Sequence, residues 1–476
     1  MQIPIMRRLK YLGIVWLCLL CTTLSVSAHE FPPSVADALK RAGIPFGATG
    51  VYVQEVSAGK SLIAANAGVP LNPASTMKLV ISDAALELLG PTFTWKTQAY
   101  VNGSQEGDVL QGDLIIKGSG DPKLVIENLW LFLRKIRAKG IREIRGSVLL
   151  DRSAFEQDAF DSTRFDGDPF KPYNAGPDAL LLSYKTLSFK FLPDTARGTV
   201  NVSLDPPAAG YAVVAPKLSG GDCGDWREHL RATIGNGGAT FSGTYSALCE
   251  EKTWHIHPYQ MPQNQYFGMV LRQMWNDLGG VLKGEIRSGI VPQGARLIEE
   301  WESPALPDVI RDMNKYSNNV MARQLLLTLA ADVLKLPATP ERGARVIRSW
   351  FANKGIDAAE LVIENGSGLS RIERISAATM GRMLVAAYQS PLMPEFISSM
   401  PLVGYDGTMR QRLKATNVSG NAHIKTGTLN DVRAMAGYVL AASGKRYVVV
   451  CIINHGNAGM GRDAQDALLQ WIYEKG

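Results

Sequence analysis

The sequence predicts one mixed α/β domain split by a long β-rich insert. Three observations lead to it. The front of the chain reads helix–strand–strand–helix, and its end reads strand–strand–helix after a run of helices. Between them the texture changes to short β-like pieces separated by glycine-rich turns. At 476 residues the chain also exceeds one ordinary domain, so two or three are expected.

The elements follow in order. "MQIPIMRRLK" carries Arg7, Arg8 and Lys10 with no acid, and a short apolar run leads to "SVSA". This is the pattern of a signal peptide cleaved after Ala28, and the run is short for a membrane span. Cys18 and Cys21 each follow a leucine, where a lipidation site needs a small residue. "PSVADALKRAG" then reads as a short amphipathic helix ended by Gly43, and "TGVYVQEV" and "KSLIAANAG" as strands joined by "SAGK". "STMKLVISDAALELLG" reads as a helix, with Met77, Val80, Ile81, Ala84, Ala85 and Leu88 on one face and Gly90-Pro91 stopping it.

From about Phe93 to "GEIRSGIVPQG" the chain is mostly β, interrupted by a helix at "LVIENLWLFLRKIRAKG". Helices return at "LPDVIRDMNKYSNNVMARQLLLTLA", "ERGARVIRSWFANKG" and "SAATMGRMLVAAYQS". "RAMAGYVLAASGKRYVVVCIIN" is a hairpin, and a final helix places Ala464, Ala467, Leu468, Trp471 and Ile472 on one face. That face looks core-packing, not like a membrane anchor.

The composition, 46% hydrophobic and 20% charged, is that of a folded protein. Removing residues 1–28 takes away three basic residues and no acid, so the net charge falls from +6 to +3. That bias is too weak to argue for nucleic acid. Cys223 and Cys249 lie in polar, loop-like contexts and are expected to pair, a link worth on the order of 3 kcal/mol. Cys451 sits in an apolar strand and reads as a buried thiol.

Two stretches match Ser-x-x-Lys: Ser57 with Lys60, and Ser75 with Lys78. Ser57 falls in a predicted hairpin turn, where turn chemistry alone explains serine and glycine. The following "GKS" is no phosphate loop, because its first glycine position is Gln54. Ser75 opens a helix and Lys78 follows one turn later on the same face. A serine hydroxyl needs an adjacent base, and a lysine serves only if burial or a neighbouring cation lowers its pKa. The helix start adds a positive dipole end. Downstream, Ser317-Asn318-Asn319 falls at a predicted helix start and Lys425-Thr426-Gly427-Thr428 on a predicted strand. Ser-x-x-Lys, Ser-x-Asn and Lys-Thr-Gly in this order form the motif set of penicillin-recognising enzymes. Ser419-Gly420-Asn421 is a chance copy of the second motif.

On "PASTMKL", "KGSGDPKL", "YNAGPDALLLSY", "KYSNNVMARQ", "ENGSGLSR" and "IKTGTLNDVRAMAGYV", the chain resembles the penicillin-recognising serine D,D-peptidases over nearly all its mature length. It is most similar to the D-alanyl-D-alanine carboxypeptidase/endopeptidases of the penicillin-binding protein 4 type (peptidase family S13). Ser317 comes 242 positions after Ser75, and that family carries its extra domains in this gap. The resemblance implies an α+β fold: a serine β-lactamase/D,D-peptidase-like domain, an antiparallel sheet flanked by helices, split by a β-rich insert of one or two domains. We assign 29–95 and 297–476 to the catalytic domain, 96–186 and 254–296 to the inserted β-rich domain, and 187–253 to a second inserted domain.

The resemblance also implies roles. Ser75 attacks the D-Ala–D-Ala carbonyl, Lys78 takes its proton and Ser317 relays a proton to the leaving group. Asn319 binds the substrate amide and contacts Lys78. Lys425 and Thr426 hold the terminal carboxylate, with Gly427 and Thr428 along the same strand, and the Ser75 and Thr428 N–H groups form the oxyanion hole. The expected partners are peptidoglycan stem peptides and cross-links, with β-lactams as covalent inhibitors, in the periplasm. No nucleic acid and at most peripheral membrane association are expected. No cofactor or metal is implied: His255 and His257 share a strand face but lack a third ligand. No Gly-x-Ser-x-Gly elbow occurs, and "GSG" at 118–120 and 366–368 reads as turn structure. The alternatives are a β-lactamase on the same fold and a catalytically weak peptidoglycan-binding protein.

Overall fold

A computed structural model describes residues 31–157 and 160–476. The signal-peptide reading of residues 1–28 lies outside the described residues. The chain enters one domain, leaves it for the insert and returns to complete it. Helix α1 (Pro33–Arg41) leads to strands β1 (Thr49–Glu55) and β2 (Ile63–Ala65). Residues 56–62 join these strands, a longer connection than the four-residue "SAGK". Helix α2 (Met77–Leu89) follows and ends at Gly90, whose φ of 85° only glycine adopts freely.

The insert begins with β3 (Lys96–Glu106), β4 (Val109–Gly118), α3 (Ile126–Ala138) and β5 (Val148–Asp151). Next come β6 (Leu187–Asp194), β7 (Thr199–Asp205), β8 (Gly238–Ser246), β9 (Lys252–Ile256) and α4 (Gln263–Asp277), and β10 (Arg296–Glu302) runs back along β3. The structure moves two of the sequence-derived boundaries. A cut after 253 runs through β9, which pairs with β6 along its whole length. A cut after 296 runs through β10, whose partner β3 belongs to the insert. Register, not composition, decides both. The insert's two parts are also not separate bodies. Leu114, Phe132 and Ile136 of the first share one continuous apolar core with Phe189, Phe191 and Phe241 of the second. Cys223 and Cys249 are disulfide-bonded in the second part, and Cys451 is a buried free thiol.

The chain returns through α5 (Leu306–Lys315), α6 (Asn319–Leu334), α7 (Pro340–Asn353) and α8 (Ala377–Gln389). It ends with β11 (Ala422–Leu429), β12 (Val432–Leu440), β13 (Arg446–Asn454) and α9 (Arg462–Lys475). These strands and the first two make one antiparallel sheet in the order β11-β12-β13-β1-β2. Helices α1 and α9 pack together on one face of this sheet. On the other face lies α2, enclosed by α5 to α8. The single apolar stripe read from the sequence understates this helix. From Met77 to Leu86 it is buried all round, including Lys78, Ser82 and Asp83, while Leu88 on the expected face is partly exposed. Among the described residues no helix is long and apolar enough to cross a membrane.

Candidate active site

Ser75 sits on a single 3₁₀ turn, Ala74–Thr76, that runs straight into α2. The turn is held from three directions. Asn72 Oδ1 accepts from the Ala74 N–H at 2.9 Å, Asn72 Nδ2 donates to the Ser370 carbonyl at 2.8 Å, and Asn454 Oδ1 accepts from the Asn72 N–H at 2.7 Å. Ala74 takes a φ of 45°, which costs a non-glycine residue on the order of 1 kcal/mol and marks a turn held by its surroundings. Ser75 is partly exposed at the positive end of the helix.

One turn on, Lys78 is completely buried. Its Nζ lies 3.0 Å from Ser75 Oγ and 2.6 Å from Asn319 Oδ1, and it contacts the Ser367 carbonyl oxygen. Burial, then the charge of Lys425, push its pKa well below the ordinary lysine range. Glu373 opposes the shift, and Arg323 adds to it. Two of the three Nζ partners can only accept. Deprotonated, the amine keeps two N–H bonds and one lone pair; with the N–H bonds on Asn319 and Ser367, the lone pair is left for the Ser75 hydroxyl. Its position and its lowered pKa together make Lys78 able to take that proton.

Ser317 lies in the break between α5 and α6, at a φ of 56°. The Asn318 side chain caps α6 by accepting from the Met321 N–H at 3.0 Å, which sets Asn319 on the first turn facing Lys78. Lys425 Nζ, from the middle of β11, donates to Ser317 Oγ at 2.9 Å and to the Thr426 carbonyl at 2.7 Å. Burial lowers its pKa to about 7. Gly427 is required by packing. A Cβ there would come within 2.8 Å of the Pro73 carbonyl oxygen and 2.9 Å of the Ser75 nitrogen, so β11 runs hard against the Ser75 turn. Thr426 Oγ1 donates to Thr408 Oγ1 at 2.7 Å, and Thr428 is exposed on the same strand.

The structure thus gathers Ser75, Lys78, Ser317, Asn319 and the strand Lys425 to Thr428 from four elements into one cluster. It leaves the decoys outside. Ser57 is an exposed turn residue donating to Glu55, and Ser419 to Asn421 lie in the loop before β11. His255 bonds Ser188. The buried ring of His257 sits between the Lys185 carbonyl at 2.9 Å and Ser162 at 3.4 Å, its pKa lowered to about 4 by burial. Among the described residues no group of three His, Cys, Asp or Glu side chains is placed to hold a metal ion.

Sequence reasoning missed the loop behind Lys78. "GSG" at 366–368 is turn structure, but it belongs to the site. Ser367 supplies a carbonyl to Lys78, and Gly368, at a φ of 78°, packs so closely that a Cβ would strike the Ala74 carbonyl. Glu373 builds this loop. Fully buried, its carboxylate accepts from the N–H groups of Glu364, Asn365, Gly366 and Gly368 at 2.8–3.1 Å. Burial raises its pKa, and those bonds oppose the rise. Paired glycines before a lone acid carried the signal. Arg323 was missed too: buried on α6, it donates to the Tyr173 and Ala175 carbonyls of the insert.

The chain resembles known proteins along most of its length. It is 28% identical over 444 residues to a D-alanyl-D-alanine carboxypeptidase of Actinomadura sp. (strain R39), covering 88% of this chain and 80% of that one. The crystal structure of penicillin binding protein 4 (dacB) from Haemophilus influenzae superposes with a TM-score of 0.77 at 22% identity, covering 92% of this chain and 99% of the other. The same protein complexed with a β-lactam gives 0.72 at 23% identity, with the same coverage. These two likenesses establish the fold. Residues 33–475 match the D-Ala-D-Ala carboxypeptidase 3 (S13) family, and with nearly the whole described chain inside that match, the protein belongs to this family.

Proposed function

We propose that the protein is an exported serine D,D-peptidase acting on peptidoglycan stem peptides, through an acyl-enzyme on Ser75. The observation that carries this reading is a completely buried Lys78, its pKa pushed well below the ordinary lysine range by burial, with its Nζ 3.0 Å from a serine hydroxyl. Ser75 Oγ attacks the carbonyl of the D-Ala–D-Ala bond as Lys78 takes its proton. The negative charge on the carbonyl oxygen is met by the Ser75 and Thr428 N–H groups, and one such donor is worth ~100- to 1,000-fold in rate. The proton taken by Lys78 then passes through Ser317, bonded to Lys425, to the departing amine, which leaves Lys78 neutral again. Lys425 and Thr426 hold the terminal carboxylate, while Asn319 orients the amide on the acyl side. Water then releases the acyl group, with Lys78 again the base. A β-lactam enters the same path as a strained substrate mimic. A cross-link with the same D,D-bond is a second substrate, and the site of action is the periplasm.

Fluorescent penicillin tests the nucleophile. Wild type and Ser57→Ala are expected to label and Ser75→Ala is not; the reverse pattern defeats the assignment. Release of D-alanine from a peptide ending in D-Ala–D-Ala tests the reaction. Labelling with neither D-alanine release nor cross-link cleavage would instead mark a binding protein.

A further inference from the structure

Three charged groups act on the buried amine of Lys78: Lys425 from β11, Glu373 from the loop after α7, and Arg323 from α6. Lys78, Lys425 and Glu373 are completely buried, and Arg323 is 5% exposed. Glu373 brings the negative charge. Its four hydrogen bonds come from backbone N–H groups, which are dipoles and carry no net charge. A buried carboxylate needs a full positive charge nearby. If Lys78 supplied it, the pairing would hold its proton in place and oppose its use as a base. Lys425 is engaged elsewhere, bonded to Ser317 and the Thr426 carbonyl, and burial lowers its pKa to about 7. Arg323 is left. Burial lowers its pKa only to about 10, so it stays charged at neutral pH.

The insert fixes this guanidinium. Arg323 comes one helical turn after Asn319, on the same face of α6, and Asn319 Oδ1 accepts from Lys78 Nζ at 2.6 Å. Arg323 Nη1 donates to the Tyr173 and Ala175 carbonyls of the insert at 2.9 and 2.8 Å, and its guanidinium lies 5.3 Å from the centre of the Phe160 ring. The next residue, Gln324, is completely buried and spends its whole amide on the insert. Its Oε1 accepts from the Asp178 N–H at 2.8 Å, and its Nε2 donates to the carbonyls of Asp178 at 2.8 Å and Gly120 at 3.0 Å. Carbonyl partners hold a cation in place without cancelling its charge. Glu364, the other carboxylate acting on Arg323, is itself paired with Arg164 at 2.7 Å. The nearby His257, with its pKa lowered to about 4 by burial, is neutral and adds no charge.

We propose that Arg323 is a positioning residue of the reaction: held by the insert, it serves as the counter-charge of Glu373 and so leaves Lys78 free to act as the base. The inference rests on the D,D-peptidase reading above, in which Lys78 is that base, and makes the insert part of the electrostatics of the site. The loop built by Glu373 then keeps its carboxylate, and Lys78 keeps its lone pair, because a third group carries the balancing charge.

The full-length protein is acylated by fluorescent penicillin, and the rate is followed against pH. Arg323→Gln and Arg323→Met remove the charge, Arg323→Lys keeps it, and a double variant joins Arg323→Gln to Glu373→Gln. Without the cation, Glu373 acts on Lys78 alone and tightens its hold on the proton. The acidic limb of the profile is therefore expected to move up by about one pH unit in either neutral variant. Arg323→Lys restores it, and the double variant returns toward wild type in profile and in melting temperature, since neither charge is then left unbalanced. A neutral variant that is slower with an unmoved limb makes Arg323 purely structural and overturns the inference. So does Arg323→Lys displaced as far as the neutral variants, or a double variant as displaced as Arg323→Gln alone. If neither neutral variant folds, the double variant is expected to fold, and its failure also overturns the inference. Each of these outcomes in an enzyme whose wild type is acylated at Ser75 spares the D,D-peptidase reading. A wild type that is not acylated there defeats that reading and the inference with it.

Discussion

Replacing Gly427 with alanine tests how the two halves of the site meet. The added Cβ would sit 2.8 Å from the Pro73 carbonyl oxygen, 2.9 Å from the Ser75 nitrogen and 3.0 Å from Ala74 Cβ. None of these atoms is the end of a flexible side chain. Reaching ordinary contact requires β11 and the Ser75 turn to separate by roughly half an ångström. The two proposed oxyanion donors sit on these two segments, so separation spoils both at once. Removing one donor costs ~100- to 1,000-fold, and a misplacement of about 1 Å costs ~100-fold. We therefore expect acylation by a fluorescent penicillin to slow by about 100-fold in Gly427→Ala, with a stability loss of about 1–3 kcal/mol from overpacking. Stopped-flow acylation and thermal melts read the two effects separately. A variant that acylates within about threefold of wild type refutes the reasoning, because the strand then does not complete the site.

Glu373→Gln removes a charge that raises the Lys78 pKa and loosens the loop carrying Ser367. Acylation should slow about tenfold, and the acidic limb of its pH profile should move to lower pH; a slower enzyme with an unmoved profile would make Glu373 purely structural. Asp83, buried on α2, has its pKa pushed up to about 8 by burial. Its unfolded form ionises near 4 and its folded form near 8, so wild type loses stability as pH rises between those values. Asp83→Asn lacks this titration, and its melting temperature relative to wild type should climb across the same span, by the equivalent of on the order of 5 kcal/mol; a flat difference rejects the assignment. Replacing Cys223 and Cys249 together by serine should cost the insert about 3 kcal/mol and leave penicillin labelling at 25 °C unchanged, which melting and labelling check in parallel.

The chemistry-bearing residues were legible because each motif lies on an element with a strong local signal. Ser75 and Lys78 are one helical turn apart, Asn318 is a good cap, and Lys425 to Thr428 continue an apolar strand. The loop at 364–368 was not legible, since its shape comes from a carboxylate at 373 that bonds four backbone N–H groups, and no periodicity reports such a bond. The insert's edges were blurred for a related reason. Pairing of β9 with β6 and of β10 with β3 joins residues far apart in the chain, while composition reads only neighbours. The all-round burial of α2 escaped because hydropathy treats Lys78 and Asp83 as surface residues. Only the packing of α5 to α8 over the sheet encloses them.

The threading of the chain has a consequence for when the protein becomes active. Ser75 and Lys78 emerge early, but β1 lacks its partner β13, and Lys78 lacks Asn319 and Ser367, until most of the remaining chain is present. The insert, with its own core, is able to fold first and bring the two catalytic segments together. Until then the lysine is hydrated, fully protonated and useless as a base. The buried environment that lowers the Lys78 pKa is therefore assembled late, when α6 and the loop at 364–368 close over α2.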